Sequence, residues 1–123
     1  MSPPAIQVNV EHDHATVALH GEHEAYTADK LAKQLTALLD EGVSITVDLT
    51  ETTFIDSTVV GVLIAAKRRA SGSGIPLELA LGRSTGWPVH RILEVTALVE
   101  QLAATLRDSI HRVAAARVTR GGA

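Results

Sequence analysis

Four segments of this chain alternate apolar and polar residues with a period of two, and that pattern restricts the fold more than any other feature. Ile6, Val8 and Val10 alternate with Gln7 and Asn9, and Ala15, Val17 and Leu19 with Thr16, Ala18 and His20. Val43, Ile45, Val47 and Leu49 alternate with Ser44, Thr46, Asp48 and Thr50; Ile75, Leu77, Leu79 and Leu81 alternate with Pro76, Glu78, Ala80 and Gly82. Successive strand side chains point to opposite faces, so each segment should bury one face and wet the other. A doubly wound parallel sheet, covered on both faces, would instead show continuous apolar runs. The pattern predicts an α/β chain with a mixed four- to five-stranded sheet and helices mainly on one face.

Helical periodicity fills the gaps. The polar link Glu11-His12-Asp13 makes the first two strands a hairpin. Leu31, Leu35, Leu38 and Leu39 predict a helix over about 27–40, with Thr27 as N-cap and Gly42 as the left-handed stop. A second helix is expected over about 58–70, with Val60, Leu63, Ile64 and Lys67 as its inner stripe. Lys67-Arg68-Arg69 would lie at the negative end of its dipole and Gly72 would end it. Ser71-Gly72-Ser73-Gly74 reads as a turn rather than a linker. A third helix should start near Pro88 and pack Val89, Ile92 and Leu93. A short edge strand is expected over 101–105 and a last helix over 107–116, before a flexible tail at 117–123. There is no internal repeat. The order is ββαβαβα(β)α in one domain, 1–123, with its core at about 5–115.

Composition narrows the function classes. With 123 residues, 46% hydrophobic and 20% charged, the chain can bury one core; with 2% aromatics, that core must be aliphatic. A net charge of −3, spread along the chain, offers no basic field for direct DNA binding. The absence of cysteine excludes disulfides, zinc–thiolate sites and thiol catalysis, and fits a reducing compartment. Met1-Ser2-Pro3-Pro4 is no signal-peptide start, and the longest apolar stretch, Val59 to Ala66, falls short of the roughly 20 residues that span a bilayer. A soluble cytoplasmic protein without membrane insertion is expected.

The informative segment runs from Val47 to Leu63. A half-buried strand leads through a loop to Phe54-Ile55, and Asp56-Ser57-Thr58 then opens an amphipathic helix. Locally this is helix capping. It is also a suitable place for a phosphoacceptor hydroxyl. Ser57 would sit by the free N–H groups and positive dipole end of a helix, where the fold tolerates the roughly −1.5 to −2 charges of a phosphate. A partner that buried the hydroxyl would not tolerate them, because desolvating a dianion without matching cations is costly.

Asp48-Leu49-Thr50, Phe54-Ile55-Asp56-Ser57-Thr58 and Gly61-Val62-Leu63 resemble, in order and spacing, the signature of the STAS domain of anti-sigma factor antagonists. His20-Gly21-Glu22-His23-Glu24-Ala25 is similar to that family's turn between second strand and first helix. Residues 89–98 resemble its third helix and following turn. The resemblance implies a phosphorylation-switched binding module without cofactor or catalysis. Its unphosphorylated form would sequester an anti-sigma factor and free a sigma factor for transcription, for instance in a stress response. It further implies that the anti-sigma factor is a GHKL-type serine kinase acting on Ser57, reversed by a PP2C-type phosphatase. Asp56, Thr58, Val59, Glu24, Gly61 and Trp87 would form the partner surface. Three departures stand out. Val59 replaces a glycine and would set a branched side chain beside Ser57; Glu24 replaces an aspartate; Ala97 replaces a glycine after the third helix. The alternative is a STAS scaffold, sensor or ligand-binding regulatory subunit, in a stress-signalling or lipid-transport complex, without sigma-factor control.

Other residues carry weaker signals. His12, His14, His20 and His23 fall at strand ends, where solvated polar groups are expected, and no cysteine or carboxylate cluster completes a metal site. No Gly-x-Ser-x-Gly elbow surrounds Ser57, so a hydrolase reading has no support. Trp87 either closes the edge of the core or stands out as an anchor for a partner.

Overall fold

The computed structural model describes residues 5–97. The chain divides into two compact units, Met1–His90 and Arg91–Ala123. The first holds β1 (Ala5–Glu11), β2 (His14–His23), α1 (Ala25–Asp40), β3 (Ser44–Asp48), β4 (Thr52–Ile55), α2 (Ser57–Gly72) and β5 (Leu77–Ala80). It also holds the first residues of α3 (87–97), and residues 91–97 of the second unit are helical as well. The strand and helix expected over 101–116, and the tail, lie outside the described residues.

Among the described residues the sheet is mixed and five-stranded, in the order β1-β2-β3-β5, with β4 paired separately to β2. β1 and β2 form the expected antiparallel hairpin, and His12 takes the left-handed conformation at its turn (φ 56°). The β2–β3, β3–β5 and β2–β4 pairs are parallel.

The alternation is realised on the inner strands. Ala15, Val17, Leu19, Ile45, Val47, Leu49 and Leu77 are buried, while Thr16, Ala18, Thr46 and Asp48 between them are only partly covered. α1 and α2 pack on each other, α1 also on β2 and β3, and α2 on β5, which sets both helices on one face of the sheet. β1 departs from the expectation: Val8 and Val10 remain 40% and 50% exposed, because the two helices lie over the strands inside that edge. Among the described residues the buried set holds no Phe, Tyr or Trp.

Helix ends differ in detail from the sequence reading. α1 starts two residues earlier than expected, with Glu24 rather than Thr27 as N-cap. The Thr27 hydroxyl instead accepts from the Glu24 N–H at 3.2 Å and donates to the Glu24 carbonyl at 3.0 Å, closing the first turn from inside. Gly42 stops α1 in the left-handed region (φ 74°), as expected. α2 runs through Gly72 and stops at Gly74 (φ 70°), where the N–H groups of Gly74 and Ile75 reach the carbonyls of Ser71 and Ala70. Its inner stripe is Val59, Val60, Leu63, Ala66 and Ala70. Ile64 is only half-buried, and Lys67 is exposed, its ammonium donating to the Leu77 carbonyl at 2.8 Å. Val89 is buried as expected, Ile92 and Leu93 are half-buried, and Ala97 is still helical rather than in a turn.

Candidate functional site

The site is built by a fork in β2. Its first half pairs with β3, and from Gly21 onward it pairs with β4, with a register shift between Gly21 and Glu22. Gly21 takes φ 84°, a conformation costly for any other residue, and its N–H donates to the Glu51 carbonyl at 3.0 Å. The segment expected to be a turn between β2 and α1 is therefore still strand up to His23. The segment expected to be a loop before Asp56 contains β4. Four residues with the burial order in, out, out, in carry no period that marks a strand. Thr52 is fully buried and its hydroxyl donates to the Leu19 carbonyl at 2.8 Å, pinning the start of β4.

The last rung of the fork pairs His23 with Ile55, and the Asp56 N–H donates to the His23 carbonyl at 3.2 Å. The next residue on each strand, Glu24 and Asp56, is the N-cap of a helix. The two helices thus begin side by side, with their free N–H groups at one end of the sheet. At α2 the Asp56 carboxylate accepts from the Val59 N–H at 3.0 Å. Asp56 does the capping, and Ser57, the first helical residue, is exposed.

Thr58 and Gly61 are exposed on the same helix, and Glu24 is exposed beside it. Val59 is different: its side chain is 0% exposed and belongs to the core, so it does not stand beside Ser57 on the surface. The helical period explains this, since Val59, Val60 and Leu63 face inward while Ser57, Thr58 and Gly61 face out. Trp87, at the start of α3, is 72% exposed and so is not a lid on the core. Gly86 before it brings the β5–α3 loop onto β4: its N–H donates to the Thr52 carbonyl at 2.8 Å. The buried Thr85 hydroxyl donates to the Leu49 carbonyl at 2.9 Å and accepts from the Gly82 N–H at 3.0 Å, fastening the same loop.

The histidines separate by environment. His23 is buried, against the expectation of a solvated strand end. Its Nε2 lies 3.0 Å from the His20 carbonyl and its Nδ1 3.2 Å from the Thr27 hydroxyl. A carbonyl only accepts, so Nε2 carries the proton. Desolvation by burial is the largest influence and lowers the His23 pKa below 6.5, with nearby His20 adding to it against backbone hydrogen bonds that raise it. His14 is exposed, with its ring nitrogens against the hydroxyls of Ser44 (2.7 Å) and Thr46 (2.9 Å). Among the described residues no three His, Asp or Glu side chains come together as metal ligands. No described helix is long and apolar enough to cross a membrane.

Tyr26 and Phe54, to which the sequence pattern assigns no binding role, are left exposed by the fold. The available signal was the scarcity of aromatics: a chain with three, and an aliphatic core, uses them elsewhere.

These elements define a small α/β domain with a mixed sheet, two neighbouring helix starts and an exposed serine at one of them. The profile described as "Mlab, STAS domain" matches residues 6–107, and the chain belongs to the STAS domain family. The "Anti-sigma-B factor antagonist" of Listeria monocytogenes is 40% identical over 55 residues, which is 44% of this chain and 48% of that protein. The chain thus matches about half the length of that curated relative. Two of the solved structures that share the fold serve as examples. One is the phosphorylated Bacillus cell fate determinant SpoIIAA, with TM-score 0.63, 16% identity, and 78% of this chain and 86% of that chain covered. The other is an anti-sigma factor antagonist from Mycobacterium paratuberculosis, with TM-score 0.59, 20% identity, and 80% and 82% covered.

Proposed function

We propose that this protein is an anti-sigma factor antagonist: a cytoplasmic binding module, not a catalyst, switched by phosphorylation of Ser57. In its unphosphorylated form it binds an anti-sigma factor and so releases a sigma factor. The anti-sigma factor is a GHKL-type serine kinase that phosphorylates Ser57, and a PP2C-type phosphatase restores the hydroxyl. Asp56, Thr58, Glu24, Gly61 and Trp87 form the surrounding contact surface.

The observation that carries this reading is the division of labour at the tip of α2. Asp56 caps the helix, so the fold does not depend on the Ser57 hydroxyl, which is exposed. Added negative charge there meets free helix N–H groups and leaves the scaffold intact. A partner seated over Ser57 would have to bury the same charge, at a cost large enough to exclude it. The relationship to the Listeria antagonist supports the same reading.

The test is to incubate the protein with ATP and the GHKL-type kinase encoded nearest to it, and to locate phosphate by mass spectrometry. Phosphate on Ser57, lost in Ser57→Ala, is the expected result. An active kinase that leaves Ser57 unmodified would overturn the reading in favour of a STAS scaffold or transport subunit.

A further inference from the structure

The chain has one Trp, one Tyr and one Phe. All three are exposed: Tyr26 at 78%, Trp87 at 72% and Phe54 at 36%. A core that used them would gain burial energy, about 1.5–3 kcal/mol for a Phe-sized ring, yet the buried hydrophobic residues are all aliphatic. Their positions converge. Tyr26 lies in the first turn of α1 and Ser57 in the first turn of α2, next to each other across the His23–Ile55 rung. Phe54 is on β4, three residues before Ser57. Trp87 follows Gly86, whose N–H is bonded to β4. Tyr26 and Phe54 therefore lie where β2 and β4 end and Ser57 begins α2, and Trp87 follows the loop that is held at the start of β4.

The charge around them is one-sided. Glu22 lies near the end of β2, Glu24 caps α1 just after it, Glu51 precedes β4, and all three are exposed. Arg83, on the β5–α3 loop, is the cation the first unit adds at that end. Binding surfaces with aromatic anchors in the centre and charges at the rim derive most of their affinity from the anchors, while the rim sets approach and specificity.

We propose that Tyr26, Phe54 and Trp87 are the anchors of the surface that docks the kinase partner. That partner presents apolar pockets for the three rings and a lysine- or arginine-bearing border opposite Glu22, Glu24 and Glu51. The inference rests on the function proposed above and adds which residues hold the partner. It also explains how an acidic surface can be switched off by more negative charge. Ser57, three residues after Phe54, would lie in the part of the contact that loses water, with the partner's cations outside it.

The test uses the purified GHKL-type kinase encoded nearest to this protein, without ATP, titrated against the full chain. Trp87, as the single tryptophan, reports directly. Its emission should shift to the blue on binding, and affinity should fall as salt rises. Tyr26→Ala, Phe54→Ala and Trp87→Ala should each weaken binding by ~10-fold or more, read by calorimetry. Far-UV circular dichroism and the urea midpoint separate this from loss of fold. If Phe54→Ala is destabilised, Tyr26→Ala decides, because its ring is the most exposed of the three. If the native chain binds and these variants bind as tightly, the inference falls and the proposed function stands. If the native chain does not bind this kinase, both fall.

Discussion

A methyl group at Gly86 should damage the domain severely. A Cβ there would sit 2.2 Å from the Thr53 carbonyl oxygen, 2.8 Å from its carbonyl carbon and 2.9 Å from its Cα. All three atoms are backbone, so no side chain can turn aside. Reaching even 3.0 Å from the oxygen needs a shift of about 0.8 Å, of either β4 or the loop. That shift pulls on the 2.8 Å bond from the Gly86 N–H to Thr52, and on the Thr85 hydroxyl that closes the same loop. Overpacking costs ~1–3 kcal/mol and a lost buried hydrogen bond about 1 more, so Gly86→Ala should lose about 2–4 kcal/mol. Urea unfolding followed by circular dichroism measures this. Gly61→Ala is the matched control: nothing lies within 4 Å of its Cβ, it is mid-helix, and alanine there should gain about 0.5–1 kcal/mol. A Gly86→Ala midpoint equal to the native one would refute the close approach of loop and strand.

Three other perturbations probe the site. Asp56→Ala removes the carboxylate that accepts from the Val59 N–H and should cost ~1 kcal/mol in chemical denaturation, with Asp56→Asn recovering most of it. Ser57→Asp places a carboxylate in the first turn of α2 and should leave the thermal midpoint equal or higher, by up to ~1 kcal/mol; a large drop would contradict a switch that spares the fold. His23 is held neutral by burial, its pKa below the 6.5 of the unfolded chain. The unfolded state therefore takes up the proton first, and this contribution to stability is complete above pH 6.5 and lost as pH falls toward the folded value. His23→Gln should flatten that part of the stability–pH curve; an unchanged slope would show that His23 does not titrate differently on folding.

The parts of the fold that span the core were legible because burial writes itself into the sequence. Val17 and Val47 are buried where the alternation puts them, and α1 follows its leucines. What was not legible depends on partners distant in sequence. β4 exists because Gly21 bends β2 toward it and because Thr52 bonds to Leu19, neither of which leaves a periodic mark. The N-cap of α1 moved from Thr27 to Glu24 because the threonine hydroxyl serves the first turn from within. His23 looked like surface because the alternation of its strand runs only to His20; the extra rungs with β4 carry it inside. At the site, Asp56 and Ser57 could be placed from pattern alone. Val59 could not be assigned to the surface by its nearness to Ser57 in sequence, since one helical step turns it to the core.

The fork in β2 separates the spine of the molecule from its working edge. β3 is bonded on both sides, to β2 and β5, whereas among the described residues β4 has β2 as its one strand neighbour, through three rungs. Backbone amides of β4 should therefore exchange with solvent through small local openings well before those of β3. Such an architecture lets the border that carries Ser57 open without disturbing the pairing of β3 with β2 and β5.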